Sequence, residues 1–189
     1  ENKRLAGKLL IIGGNLHSVG APSTAYNQAE KSGIGVAKVL LPDALRKTFG
    51  SILENCEFSP STPSGSFNKN SLAEWLSFAE WADCVLLAGD IGRNSETAII
   101  TEQFTKKYSG PLVITQDCLD IFVKNPRAIV DRKETLIVGS FSQIQKLFQS
   151  ERRTKQPLQY ANSLVNNIEI IHDLSLDLPA YIATKQHDE

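Results

Sequence analysis

The sequence predicts an α/β fold of three layers, a mostly parallel sheet with helices on both faces. Three observations carry this. Short apolar runs recur along the chain, and the first, Lys8-Leu9-Leu10-Ile11-Ile12-Gly13-Gly14, is continuous rather than alternating. A strand buried on both faces reads that way. Segments with helical spacing separate the runs, and strand–helix–strand alternation demands right-handed crossovers and hence parallel neighbours. The strands recur at roughly 20 to 30 residues, the step of a βαβ unit.

Each element has its own signal. After the first strand, Ala21 to Gly35 is rich in small residues; Pro22 and Ser23 open a helix there and Gly33 closes it. Val36 to Leu41 is the second strand, ended by Pro42, and Asp43 reads as the N-cap of a short helix to Phe49. A third strand around Glu57-Phe58 is weak. Pro60 to Asn70, rich in Ser, Pro and Gly, is a loop. In the helix Ser71 to Ala82, Leu72, Trp75, Leu76 and Ala79 share one face, so Trp75 and Trp81 are expected to pack it on the sheet. Cys84 to Ala88 is the fourth strand, and Ser95 is the expected cap of a helix from Glu96 to Tyr108. Pro111 to Thr115 and Thr135 to Val138 are further strands, followed by short helices to Val123 and over 141–148. Beyond Ser150 the texture changes. Residues 151–156 read as a charged linker or turn, Pro157 to Leu176 has helical spacing, and Ala180 to Thr184 starts a further strand. The whole, 1–189, reads as a single domain.

Composition narrows the function classes. Among 189 residues, 41% are hydrophobic and 22% charged, with a net charge of -1, so no strong field favours nucleic acid or an anionic membrane. No apolar run approaches the ~18 residues that span a bilayer, and no signal peptide is read at the polar N-terminus. Cys56, Cys84 and Cys118 are odd in number and match no zinc or disulfide spacing, which points to a reduced, cytoplasmic compartment. The three histidines are unclustered, and no metal site is expected from them.

In an open parallel sheet, ligands bind beyond the strand C-termini. That rule selects four turns. The first holds Gly14, Asn15, Gly20, Ala21 and Pro22, where backbone can approach a ligand and a following helix offers free N–H groups. His17 is the one histidine placed there. The second holds Gly89 and Gly92, an anion-accepting turn to which Arg93 adds charge and which Asp90 opposes. The third is Asp117 with Asp120, suited to a hydroxyl, a ribose or magnesium, or simply to capping. The fourth is Ser140 with Ser142, where capping is the plainer reading.

Four segments in this order resemble the ribokinase-like ADP- or ATP-dependent NAD(P)H-hydrate dehydratases: KLLIIGG with GAP (Lys8 to Pro22), ADCVLLAGDIGRNSET (Ala82 to Thr97), PLVITQDCL (Pro111 to Leu119) and TLIVGSFSQIQKL (Thr135 to Leu147). The resemblance covers roughly residues 7 to 150. It implies nucleotide-driven dehydration of hydrated NADH or NADPH, a lyase reaction, with ADP or ATP as cofactor and Mg2+ as a further candidate. It places Gly20, Ala21 and Pro22 near the hydrate. Gly89 and Gly92 match the family's glycine turn, with Asp90 where its middle glycine stands. Asp117 matches the second acid of a DADAL stretch, and Thr115 replaces the first. Ser140 to Gln143 stand where the family has His-Pro-Gly-Glu. Its later glycine-rich GxGD loop, which holds nucleotide phosphates, has no counterpart before Glu189, so a C-terminally incomplete domain is expected. The alternatives are a non-catalytic nucleotide- or dinucleotide-binding descendant and a small-molecule kinase of the same superfamily. The expected partners are small molecules, the hydrate and a nucleotide; an exposed sheet edge also admits a homo-oligomer.

Overall fold

The structure is a computed structural model and describes residues 6–50, 55–140, 142–147, 168–172 and 180–185. In chain order the elements are β1 (Lys8–Gly13), α1 (Gly20–Lys31), β2 (Val36–Pro42), α2 (Arg46–Phe49), β3 (Cys56–Ser59), α3 (Leu72–Trp81) and β4 (Cys84–Gly89). There follow α4 (Ser95–Lys107), β5 (Leu112–Thr115), α5 (Cys118–Ile121), α6 (Arg127–Val130), β6 (Thr135–Ser140), a helix over 142–147 (α7), β7 (Ile168–His172) and β8 (Ala180–Lys185).

The eight strands form one sheet in the order β3-β2-β1-β4-β5-β6-β8-β7. The first six run parallel, and β8 pairs antiparallel with both β6 and β7. The mostly parallel α/β architecture read from the sequence therefore holds. Its cause is visible in burial: Leu10, Ile11 and Ile12 of β1 are all fully buried, which only a strand covered on both faces achieves. One face carries α1, whose Ala25, Tyr26 and Ala29 pack against a cluster containing Ile11, Ala37, Val39 and Leu41. The other carries the larger core, in which Trp75 of α3 meets Ile100 and Phe104 of α4. Trp75 makes edge-on contacts with Phe67 (4.9 Å) and Phe104 (5.6 Å). Such pairs add about 0.5–1.5 kcal/mol each beyond area burial.

Successive strands step one way from β1 to β2 and β3, then the other way from β4 to β5 and β6. The switch lies between β1 and β4, and in an open α/β sheet the ligand crevice lies at such a point, beyond the carboxyl ends of the strands. The β1–β4 register slips by one residue between Ile12 and Gly13, leaving Ala88 as an extra residue where β4 leaves the sheet.

Several local expectations are corrected. Helix α1 begins at Gly20 rather than at Pro22, and its N-cap, Val19, makes no side-chain cap. The cap of α4 is Asn94, whose side chain accepts from the Glu96 amide at 2.8 Å; Ser95 is already helical. Asp43 opens a 3-10 turn without capping it, because its carboxylate accepts instead from the Ser61 amide at 3.0 Å. Strand β3 forms although its apolar signal is weak: it is an edge strand, and only Ser59 of its four residues is buried. The helical reading of Pro157 to Leu176 fails where the structure describes it, since Ile168–His172 is a strand. Three β-branched isoleucines in five residues favour an extended backbone once β8 is there to pair. The charged segment 151–156 lies outside the described residues.

Candidate functional site

Four strand ends build the crevice. The β1 exit is pinned to the β4 exit: the Gly14 amide donates to the Gly89 carbonyl at 2.9 Å. The approach is so close that a Cβ on Gly13 would lie 2.5 Å from the same carbonyl oxygen, which only glycine permits. Gly89 itself has φ 106, and a Cβ there would strike Gln116 of the β5 exit at 2.4 Å. These contacts hold three loops within one small volume.

Asn15 is the joint between them. It is nearly buried, its Nδ2 donates to the Asp90 carbonyl at 2.6 Å, and its Oδ1 accepts from the His17 amide at 2.8 Å. Asp90 has a left-handed backbone, φ 57, and its Oδ2 accepts from the Ala21 amide at 2.7 Å. The first turn of α1 is thus capped from β4, 69 residues away in sequence. The Asp117 carboxylate does not cap α5; its Oδ2 accepts from the Gly92 amide at 3.2 Å. Its Oδ1 is buried without a hydrogen-bond partner. Burial pushes the Asp117 carboxyl upward and the Asp90 charge adds to this, while the amides of Gly92, Ile91 and Asp90 pull it back.

Of the residues read from the sequence, Gly14, Asn15, Gly20, Ala21, Pro22, Gly89, Gly92 and Asp117 come together. A Cβ on Gly20 would be 3.7 Å from Asp90 Oδ2, one on Gly92 3.6 Å from Asn15, and one on Gly14 3.6 Å from Pro22. Ser140 sits two strands from β4, at the end of β6, and reaches the others indirectly. Gln143 bridges the gap, its Oε1 accepting from the Ser140 amide at 3.0 Å and its Nε2 donating to the Gln116 carbonyl at 2.8 Å. Ser140 Oγ accepts weakly from the Gln143 amide at 3.4 Å, so the capping reading of Ser140 also holds. Thr115, standing where the resemblance has an acid, spends its hydroxyl on the Leu87 and Ala88 carbonyls.

Sequence reading gave Pro60 to Asn70 as a loop but did not place it at the site. It lies over the crevice: the Leu16 amide donates to the Gly65 carbonyl at 2.9 Å, and Asn94 Nδ2 donates to Ser64 Oγ at 3.3 Å. Ser66 Oγ is 3.5 Å from where a Gly92 Cβ would stand. Fully buried Phe67 anchors the loop, and its carbonyl accepts from Thr97 Oγ1 at 2.7 Å. Its serine richness was the available signal, but nothing local tied it to glycines some 50 residues before and 25 after it. Exposed Gln116, Ser64 and Ser140 give the rim uncharged hydrogen-bonding groups, and exposed Arg93 adds a positive charge on the β4 turn. Among the described residues, no group of three or more His, Cys, Asp or Glu side chains could hold a metal ion. An open depression lined by Arg46, Lys47, Cys56 and Phe58 lies apart from the crevice, at the β3 edge. Burial, with the Glu57 charge beside it, holds the Cys56 thiol up at about 11, and burial holds that of fully buried Cys118 well above its ordinary value, which disfavours the thiolate form of both.

No family model matches the chain. A ribokinase-like superfamily protein from Enterococcus faecalis V583 superposes with a TM-score of 0.68 at 15% identity, over 92% of this chain and 60% of its own. A hypothetical protein from Streptococcus mutans superposes at 0.63 and 19% identity, over 90% of this chain and 60% of its own. This is a diverged ribokinase-like fold. Several curated relatives share a name. The bifunctional NAD(P)H-hydrate repair enzyme Nnr of Dictyoglomus turgidum is 22% identical over 156 residues, 81% of this chain and 30% of that enzyme. The enzyme of the same name from Methanothermobacter thermautotrophicus is 33% identical over 92 residues, 49% of this chain and 18% of its own length. The chain thus spans less than a third of the length of these curated relatives. Among the described residues, no helix is long and apolar enough to cross a membrane.

Proposed function

We propose that this ribokinase-like chain binds hydrated NAD(P)H in the β1/β4 crevice and serves its dehydration. The observation that carries the reading is the convergence of the Gly14–Pro22 turn, the Gly89–Gly92 turn and Asp117 on one crevice, since these are the segments in which the chain resembles hydrate dehydratases. The name shared by the Dictyoglomus turgidum and Methanothermobacter thermautotrophicus relatives supports the same substrate. The chain's own residues have clear tasks. Asn15 fixes the β4 turn, Asp90 and Asp117 orient the amides of α1 and of Gly92, and the rim of Ser64, Gln116 and Ser140 offers hydroxyl and amide groups to a hydroxylated ring.

The nucleotide expected from the resemblance, ADP or ATP, does not fit the described residues of this crevice. The Ala21 and Gly92 amides, which could cradle a phosphate, are taken by Asp90 and Asp117, carboxylates that repel one. No acidic cluster suited to Mg2+ stands among the described residues. No step is therefore routed through a nucleotide.

One observation favours a second reading, binding without turnover. Ser140 and Gln143 stand where the resemblance has an imidazole and a carboxylate, and Gln143 is committed to a structural bridge. Melting curves and absorbance at the reduced-nicotinamide band separate the two. NADPH hydrate at about 100 times its Kd is expected to raise the melting temperature by roughly 5–10 °C. Recovery of NADPH absorbance, with or without added ADP or ATP, supports dehydration; a thermal shift without recovery in either condition supports the second reading. No shift with the hydrate contradicts both.

A further inference from the structure

We propose that Asp90 is a specificity-determining residue, excluding phosphate groups from the crevice and reserving it for the uncharged, hydroxyl-bearing part of a ligand. Helix α1 has twelve residues, carries no acidic residue in its first turn and has no side-chain cap of its own. Such an N-terminus attracts anions. Here the anion is already supplied, because Asp90 Oδ2 accepts from the Ala21 amide at 2.7 Å. The plug is fixed rather than incidental. Asp90 holds φ 57, a conformation that aspartate tolerates better than most residues, and Asn15 Nδ2 clamps its carbonyl at 2.6 Å. A second carboxylate, Asp117, accepts from the Gly92 amide at 3.2 Å. A phosphate entering the crevice would have to displace hydrogen-bonded carboxylates and then lie beside them. Exposed Arg93 and His17 flank the site, but neither is interposed between Asp90 and Ala21.

Inorganic phosphate tests this without any dinucleotide, so the result does not depend on whether the chain binds or dehydrates NAD(P)H. The 15N-labelled chain is titrated with phosphate against a sodium chloride series of matched ionic strength. In the wild type the amide resonances of Ala21 and Gly92 are expected to move no more than in chloride. In Asp90→Gly, which suits the left-handed backbone, the Ala21 resonance is expected to move and saturate, with phosphate affinity at least about tenfold higher. Asp90→Asn removes the charge but keeps the plug, and a smaller gain is expected; it carries the test if the glycine variant does not fold. Saturable movement of Ala21 in the wild type overturns the proposal. So does a folded Asp90→Gly chain, or failing that a folded Asp90→Asn chain, with no gain over the wild type.

Discussion

Asp117 shows how much of this site is decided by single side chains acting across the sequence. Read locally, an aspartate before Cys118-Leu119 is a helix cap; in the fold it reaches back 25 residues to the Gly92 amide. Its partner could not be seen from the sequence, because the contact exists only once β4 and β5 lie side by side. The same holds for Asp90 and Ala21, 69 residues apart. The glycines were legible because a run of them at a strand end has few other uses; the carboxylates filling their amides were not. Asp117 also makes a pH prediction. Burial raises its folded-state pKa above the unfolded value, so folding favours the protonated acid. The stability this gives is fully present below the unfolded pKa and is lost as pH rises through the folded one. Urea unfolding of wild type and Asp117→Asn from pH 3.5 to pH 7 should show the variant gaining relative stability as pH rises across the carboxylate range. A variant that keeps a constant stability difference from the wild type, or loses stability relative to it, as pH rises over that range contradicts the assignment.

At the scale of elements, strands buried on both faces announced themselves, while edges and lids did not. β1, β2, β4 and β5 read directly because Leu10, Leu40, Leu87 and Ile114 leave no polar alternation to misread. β3 did not, since an edge strand buries little, and the isoleucines of β7 fitted a helical period equally well. The loop over the crevice was legible as a loop but not as a part of the site. Its order rests on Phe67, which is fully buried and packs edge-on against Trp75. Phe67→Ala is therefore expected to cost about 3–5 kcal/mol in urea unfolding, as buried aromatic truncations do. Because Gly65 accepts from the Leu16 amide, hydrogen exchange at Leu16 should also accelerate. A cost under about 1 kcal/mol, within the range of surface substitutions, would mean the loop is held by other contacts.

For the molecule as a whole, function follows from where the strand order reverses. β1 and β4 are neighbours whose successors depart in opposite directions, and their exits are tied together by the Gly14–Gly89 hydrogen bond. Everything proposed for this chain depends on a ligand entering there rather than at the β3 edge, where Arg46 and Lys47 line the other depression. The most direct measurement is amide chemical-shift mapping of the 15N-labelled chain titrated with NADPH hydrate. Saturating shifts at Gly14, Asn15 and Gly89 to Gly92, with one shared affinity, are the expected result. Shifts confined to Arg46, Lys47 and Phe58, or no saturable shifts at all, would contradict the account.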